Sequence, residues 1–514
     1  MSQTYRSPRS SADQTISFEE AVITGLAKDG GLFLPAEIPK LDSDFVSKWS
    51  NFSFEELAFN ILRLYINSSE IPDEDLKTLI SRSYSTFRSD KVTPLVKIDS
   101  KSNLYLLELF HGPTYAFKDV ALQFLGNLFE YFLVRKNAQK KPEEERSILT
   151  VVGATSGDTG SAAIYGLRNK KDVSVFILYP TGRVSPLQEQ QMTTVADDNI
   201  HTLSVKGTFD DCQALVKEVF NDKEFNDKYH IGAINSINWA RILAQMTYYF
   251  HAYFQLVKKL PESERESFKV KFVVPSGNFG DILAGFYAKE MGLPIDQLVV
   301  ATNENDILNR FLTSGKYDKA DEVKATYSPA MDICVSSNFE RFLWYMVKRT
   351  VAGNDAKKAG EIMNNFMSVL ATKGIFTVDD STLTAATNIM RSAMITNAQT
   401  VDTIRETYKS TSNKYILDPH TAVGIATALQ TIEKDGNDES IKYISLSTAH
   451  PAKFNEVVNE ALDKFDDYSF ETQVLPDELK KLESLPKKIK LIETADLKTI
   501  ESTIIEELTK EGKN

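Results

Sequence analysis

Twice in this chain a short β-branched run ends in a glycine-rich loop that opens directly into a helix, and that repeated unit constrains the fold more than any other feature. The first unit runs from Ile148-Leu149-Thr150-Val151-Val152 through Gly153-Ala154-Thr155-Ser156-Gly157-Asp158-Thr159-Gly160 into a helix of small residues, followed by a strand at Val173-Ser174-Val175-Phe176-Ile177-Leu178. The second takes Val270-Lys271-Phe272-Val273-Val274 through Pro275-Ser276-Gly277-Asn278-Phe279-Gly280 into a helix that starts at Asp281 and ends at a glycine cap, Gly292. Strands that alternate with helices pair in parallel, because a parallel connection needs a long crossover. The alternation spans residues 91 to 340 and predicts an α/β fold with mainly parallel sheets flanked by helices. Residues 1 to 90 read as mostly helical and 341 to 440 as largely helical, and the sheet resumes at Lys442–Ser447. The last forty residues, rich in Lys and Glu, read as one or two surface helices.

The length of 514 residues allows two or three domains, and the net charge of -12 argues against nucleic-acid partners, which need an excess of clustered Lys and Arg. Anions must therefore be caught locally. Cys212 and Cys334 cannot form a disulfide framework and read as core residues. No apolar run reaches the roughly 20 residues of a membrane span, so no membrane partner and a cytoplasmic location are expected. A transit-peptide reading of the Arg6 and Arg9 start is interrupted by Asp13, Glu19 and Glu20. The six histidines lack metalloenzyme spacing, which predicts no metal, and His111 and His450 read as structural.

In open α/β sheets ligands bind beyond the carboxyl ends of strands, where glycine loops expose N–H groups and a helix start adds positive potential. Both loops suit a phosphate or a carboxylate, although glycines there can also serve only the tight turn. Neither loop has the Lys-Ser/Thr of a P-loop or the G-x-G-x-x-G spacing, so a nucleotide is not expected. In His111-Gly112-Pro113-Thr114-Tyr115-Ala116-Phe117-Lys118-Asp119, Thr114 is the expected N-cap, which puts Lys118 near the first helical turn. Leu122, Leu125 and Phe129 follow it at helical spacing, so Lys118 is expected against an apolar wall. Desolvation and the helix start both disfavour an ammonium there, as a Schiff-base lysine requires; a snorkelling or carboxylate-paired lysine is the alternative. Thr448 follows a strand, where a hydroxyl commonly caps a turn.

These segments, with Thr86-Phe87-Arg88, Ser447-Thr448-Ala449-His450-Pro451-Ala452-Lys453-Phe454 and the start from Tyr5-Arg6-Ser7 to Asp29-Gly30-Gly31-Leu32-Phe33, resemble the threonine synthase family in its fungal and enterobacterial-like branch. The resemblance spans nearly the whole chain. It implies a pyridoxal-phosphate enzyme of fold type II, like the tryptophan synthase β subunit, with a large and a small α/β domain and the cofactor in the cleft between them. It also implies a division into an N-terminal domain at 1–92, a catalytic region at 93–470 with the small domain inserted at about 120–240, and a helical extension at 471–514. By motif, Lys118 would bind pyridoxal 5'-phosphate covalently and act as the catalytic base. Gly277, Asn278, Phe279, Gly280 and Asp281 would surround the cofactor phosphate, and Thr448 would face the pyridine nitrogen. Thr155, Ser156, Gly157, Asp158 and Thr159 would bind the substrate carboxylate. The implied reaction converts O-phosphohomoserine and water to threonine and phosphate, in a monomer or homodimer. The alternatives are a related phospholyase or dehydratase and a catalytically silent member of the fold.

Overall fold

The computed structural model describes residues 3–98, 103–265 and 267–513. They fall into two compact units, each assembled from separate stretches of chain: one from 1–77, 87–111 and 236–474, the other from 78–86, 112–235 and 475–514.

The first unit is built on a six-stranded sheet in the order Met390–Met394, Gln297–Thr302, Lys269–Pro275, Ile441–Ser447, Leu104–Glu108, Leu95–Lys97. All neighbours are parallel except the last pair, where Leu95–Lys97 turns back on Leu104–Glu108. Every residue of Ile441–Ser447 is buried, as both faces of a parallel sheet must be covered by helices. The register pairs Ser447 with Glu108 and Ser445 with Val273. Parallel pairing therefore brings the loop after Pro275, the Thr448 turn and the segment after Glu108 to one carboxyl edge. The strand Met390–Met394 lies in a stretch read as largely helical from its sequence. Its residues, Met-Arg-Ser-Ala-Met, have no strong strand preference, and it forms because Gln297–Thr302 offers an open edge.

The second unit has a five-stranded, wholly parallel sheet in the order Lys490–Ile492, Ile200–Val205, Val173–Pro180, Leu149–Ala154, Ile231–Gly232. The tail is more than surface helix. It contributes the edge strand Lys490–Ile492, and the helix Leu497–Lys510 buries Ile500, Ile504 and Leu508 at four-residue spacing in a core with Cys212, Leu215 and Val219. Glu511 seals that helix end by accepting from Ser174 Oγ at 2.8 Å and pairing with His201 Nε2 at 2.8 Å. Cys212 is thus a core residue as expected, whereas Cys334 is only half-buried.

Within this unit the helices Lys118–Ala138 and Asp158–Leu167 approach until only glycine fits between them. A Cβ placed on Gly126 would lie 1.9 Å from the Gly166 carbonyl oxygen, and one on Gly166 would lie 2.6 Å from the Leu122 carbonyl oxygen. Gly126→Ala is expected to push the helices apart and cost about 1–3 kcal/mol. Urea unfolding checks this: the midpoint should fall, and an unchanged midpoint would show that the crossing tolerates a methyl group.

Candidate active site

Thr114 does not cap the Lys118 helix as its sequence position suggested. Its N–H and its hydroxyl both donate to the Asp119 carboxylate, each at 2.7 Å, and the fully buried Asp119 closes the Gly112–Thr114 turn from inside the helix. Gly112 is required there, because a Cβ would come within 2.4 Å of Asp119 Cβ. The helix consequently begins at Lys118 itself, with Phe117 as a cap that makes no side-chain hydrogen bond. Lys118 is half-buried, and its Nζ donates to Thr159 Oγ1 at 2.9 Å. The amine thus meets a hydroxyl, while Leu122, Leu125 and Phe129, which follow it at helical spacing, are buried. Thr159 is the second residue of the helix that follows the first glycine loop, so the close crossing at Gly126 brings Lys118 to that loop.

The first loop is braced from within. Thr155 is buried, and its Oγ1 accepts the N–H groups of Gly157 at 3.0 Å and Gly160 at 2.9 Å. Gly157 has φ 150°, and a Cβ there would collide with Gln188 Oε1 at 2.2 Å, while Gln188 Nε2 donates to Asp158 Oδ1 at 2.9 Å. Ser156 is exposed. Among the described residues, the backbone N–H groups of Ser156 and Thr159 have no hydrogen-bond partner, which leaves two donors for a carboxylate.

The second loop, in the other unit, is braced from outside. The Gly277 carbonyl accepts Ser336 Oγ at 2.6 Å, the Asn278 carbonyl accepts Asn338 N at 3.1 Å and Nδ2 at 3.0 Å, and Asn278 Oδ1 accepts Ser337 Oγ at 3.2 Å. In a trans peptide the N–H points opposite to the C=O. Turning these two carbonyls toward 336–338 therefore turns the N–H groups of Asn278 and Phe279 the other way. Among the described residues, the N–H groups of Gly277, Asn278 and Phe279 have no partner. A Cβ on Gly277 would come within 2.9 Å of Met331 Cα, and Phe279 holds a left-handed φ of 66° while its ring packs 5.3 Å from Phe339 and 5.6 Å from Phe342. The helix Gly280–Met291 starts at this point and adds its positive end. Open donors, a close-approach glycine and a helix start fit a phosphate group.

Arg341 anchors the brace. Its buried guanidinium donates to the Phe33 carbonyl at 2.8 Å, to the Ile237 carbonyl at 2.7 Å and to Asn338 Oδ1. None of Ser336, Asn338 or Arg341 was flagged from the sequence; the one available signal was the Ser336-Ser337-Asn338 run just before a helix.

Thr448 is buried at the same carboxyl edge of the sheet, directly after Ser447, whose carbonyl accepts Leu109 N at 2.9 Å. Nearby histidines are tied into local hydrogen bonds. His420 Nδ1 lies 2.8 Å from Asp418 Oδ2 while its Nε2 accepts Ala330 N at 3.1 Å. His111 Nε2 lies 2.7 Å from Glu108 Oε2. Burial pushes His450 down to about 4, and its Nδ1 accepts Ala452 N at 3.2 Å. Among the described residues, no group of three or more His, Cys, Asp or Glu side chains is disposed to hold a metal ion.

The Asp281 carboxylate is engaged by two tyrosines. Its Oδ1 accepts the hydroxyls of Tyr248 at 2.5 Å and Tyr249 at 3.0 Å, and its Oδ2 is buried without a partner among the described residues. Burial raises its pKa to about 7, against the opposing pull of the two tyrosine hydrogen bonds. The folded chain therefore holds a proton that the unfolded chain has released. Stability from this group is full below the ordinary carboxylate value of about 4 and is lost as pH rises through about 7. Asp281→Asn should flatten the fall in unfolding free energy between pH 4.5 and 7, and a slope equal to that of the unmodified protein would contradict this.

The comparisons agree with the geometry. Three family models match along the chain, the last two overlapping: threonine synthase N terminus at residues 4–84, pyridoxal-phosphate dependent enzyme at 87–442, and threonine synthase C-terminal at 421–504. Threonine synthase of Saccharomyces cerevisiae is 63% identical over 514 residues, covering 99% of each chain, and that of Schizosaccharomyces pombe is 59% identical, covering 90% of each. The crystal structure of threonine synthase from yeast superposes with a TM-score of 0.95 at 62% identity, covering 99% of both chains. Pyridoxal-phosphate-bound threonine synthase from Brucella melitensis gives 0.86 at 40% identity, covering 98% of this chain and 99% of the other. The motif resemblance and the fold type II expectation both hold, and the chain belongs to the threonine synthase family of pyridoxal-phosphate-dependent enzymes.

Proposed function

We propose that the chain converts O-phosphohomoserine and water into threonine and inorganic phosphate, with Lys118 as its catalytic lysine. The observation that carries the assignment of Lys118 is its 2.9 Å hydrogen bond to Thr159. It sets a reactive amine beside a loop that still has backbone donors to offer. Bound pyridoxal phosphate supplies the electron sink that γ-elimination followed by β-addition of water requires.

Lys118 would hold the cofactor through its amine, and the same Nζ would take and return the proton at the α-carbon of the substrate. The Thr159 hydroxyl accepts an Nζ hydrogen and so holds the end of the Lys118 side chain beside the loop. The loop from Thr155 to Thr159 takes the substrate carboxylate: the N–H groups of Ser156 and Thr159 serve as donors, the Thr155 hydroxyl as internal brace, and Gly157 and Asp158 set the turn against Gln188. Gly277, Asn278, Phe279 and Gly280 receive the cofactor phosphate on backbone N–H groups, and Asp281 fixes the first turn of that helix to Tyr248 and Tyr249. Thr448 would lie against the pyridine nitrogen, where a hydroxyl in place of a carboxylate would leave that nitrogen less protonated. We assign the chain to the cytoplasm, as a monomer or homodimer. Among the described residues no helix is long and apolar enough to cross a membrane.

The test is to incubate the purified protein and Lys118→Ala with O-phosphohomoserine, and to measure phosphate and identify the amino-acid product. The unmodified protein should release phosphate and threonine together, and the variant should lose at least about 1,000-fold in rate. Phosphate accompanied by a keto acid and ammonia would make the chain a phospholyase, and a variant of undiminished rate would remove Lys118 from the chemistry.

A further inference from the structure

Arg241 is a buried cation that the folded chain leaves unsatisfied. It is 4% exposed, its Nε is buried without a partner, and among the described residues its guanidinium makes neither a hydrogen bond nor an ion pair. Arg341, equally buried, has every nitrogen bonded to an oxygen. A charge taken out of water without a counter-charge or hydrogen bonds is strongly disfavoured, so an unpaired buried guanidinium calls for an anion from outside the chain. Burial lowers its pKa to about 10, so it keeps its proton at neutral pH.

Its position indicates which anion. Arg241 lies in the first turn of the helix Trp239–Lys259. The adjacent Ile242 would come within 3.3 Å of a Cβ on Gly280, and the Ser236 carbonyl, just before this helix, accepts Asn338 Nδ2, the same nitrogen that braces Asn278. Seven residues beyond Arg241, on the same helical face, Tyr248 senses its charge and donates to Asp281 in the first turn of the Gly280 helix. The Arg241 turn is therefore tied through Ser236 and Asn338 to Asn278, and through Ile242 and Tyr248 it lies against the first turn of the Gly280 helix, which follows the open N–H groups of Gly277, Asn278 and Phe279. Backbone donors carry no net charge, whereas a phosphate monoester is a dianion. A guanidinium supplies both the missing charge and paired N–H donors.

We propose that Arg241 is the cation of a phosphate-monoester site completed by the N–H groups of Gly277, Asn278 and Phe279. The proposal rests on the reading of that loop as a phosphate site. Two phosphate esters belong to the proposed reaction, that of the cofactor and that of the substrate, and the shared chemistry is the dianionic ester.

The experiment titrates full-length protein, Arg241→Met and Arg241→Lys with pyridoxal phosphate and with pyridoxal, which lacks the phosphate. It also measures inhibition of threonine formation by inorganic phosphate and the melting temperature without ligand. Arg241→Met should weaken one phosphate species by about tenfold or more while the affinity for pyridoxal changes less than about twofold, and Arg241→Lys should recover part of the loss. A loss confined to pyridoxal phosphate assigns the cofactor's ester. A loss confined to inorganic phosphate, with cofactor affinity intact, assigns the substrate's. Removing an unpaired buried charge should leave the ligand-free melting temperature of Arg241→Met no lower than that of the parent. A variant that melts lower and loses pyridoxal and pyridoxal phosphate alike would make Arg241 structural and overturn the proposal, as would full retention of both phosphate species. If the unmodified protein binds pyridoxal phosphate no better than pyridoxal and is indifferent to inorganic phosphate, the phosphate reading of the loop falls together with the proposal, whether or not threonine is formed.

Discussion

The planarity of two peptide bonds underlies the open N–H groups of the Gly277–Gly280 loop in the first unit. Once Ser336 and Asn338 capture the carbonyls of Gly277 and Asn278, the N–H groups that follow must face the opposite way. The rest of that unit supports this orientation. The parallel sheet delivers the loop to its carboxyl edge, Arg341 holds Asn338 and reaches the Phe33 carbonyl, and the Phe279 ring packs among Phe339 and Phe342 while its backbone takes a left-handed turn. The N-terminal segment is thereby connected to the loop through one guanidinium, a link between residues more than 200 positions apart in the chain.

The second unit reaches a comparable loop by a different route. Thr155 braces its own turn with a single hydroxyl and needs no distant segment. Its neighbour Thr159 instead meets Lys118, because the helices that carry them touch at Gly126 and Gly166 without a side chain between. Two loops that look alike as strings of glycine and small polar residues thus differ: among the described residues one leaves three adjacent N–H groups without a partner, whereas the other leaves two and gives its Thr159 hydroxyl to Lys118.

The elements that position the site were legible in the sequence where local pattern decides. Both strand–loop–helix units, the glycine cap at Gly292 and the strand before Thr448 form where β-branched runs and glycines predicted them. What escaped depends on long-range pairing. Met390–Met394 and Lys490–Ile492 are strands only because a sheet edge accepts them, and a run such as Met-Arg-Ser-Ala-Met carries no signal of its own. Thr114 was read as a cap on a sound local rule that lost to Asp119, whose buried carboxylate takes both Thr114 donors. Arg241 and Asn338 were invisible for a related reason. Their significance lies in burial and in partners, present or missing, that no spacing encodes.

Reduction of the pyridoxal-phosphate-loaded, full-length protein with borohydride, followed by peptide mass mapping, tests the central claim most directly, because it fixes the cofactor to whichever amine holds it. The expected result is the pyridoxyl label on the peptide containing Lys118, with the other lysines unlabelled. A label on a different lysine, or none on a protein that has bound the cofactor, would contradict the assignment on which the reading of the active site rests.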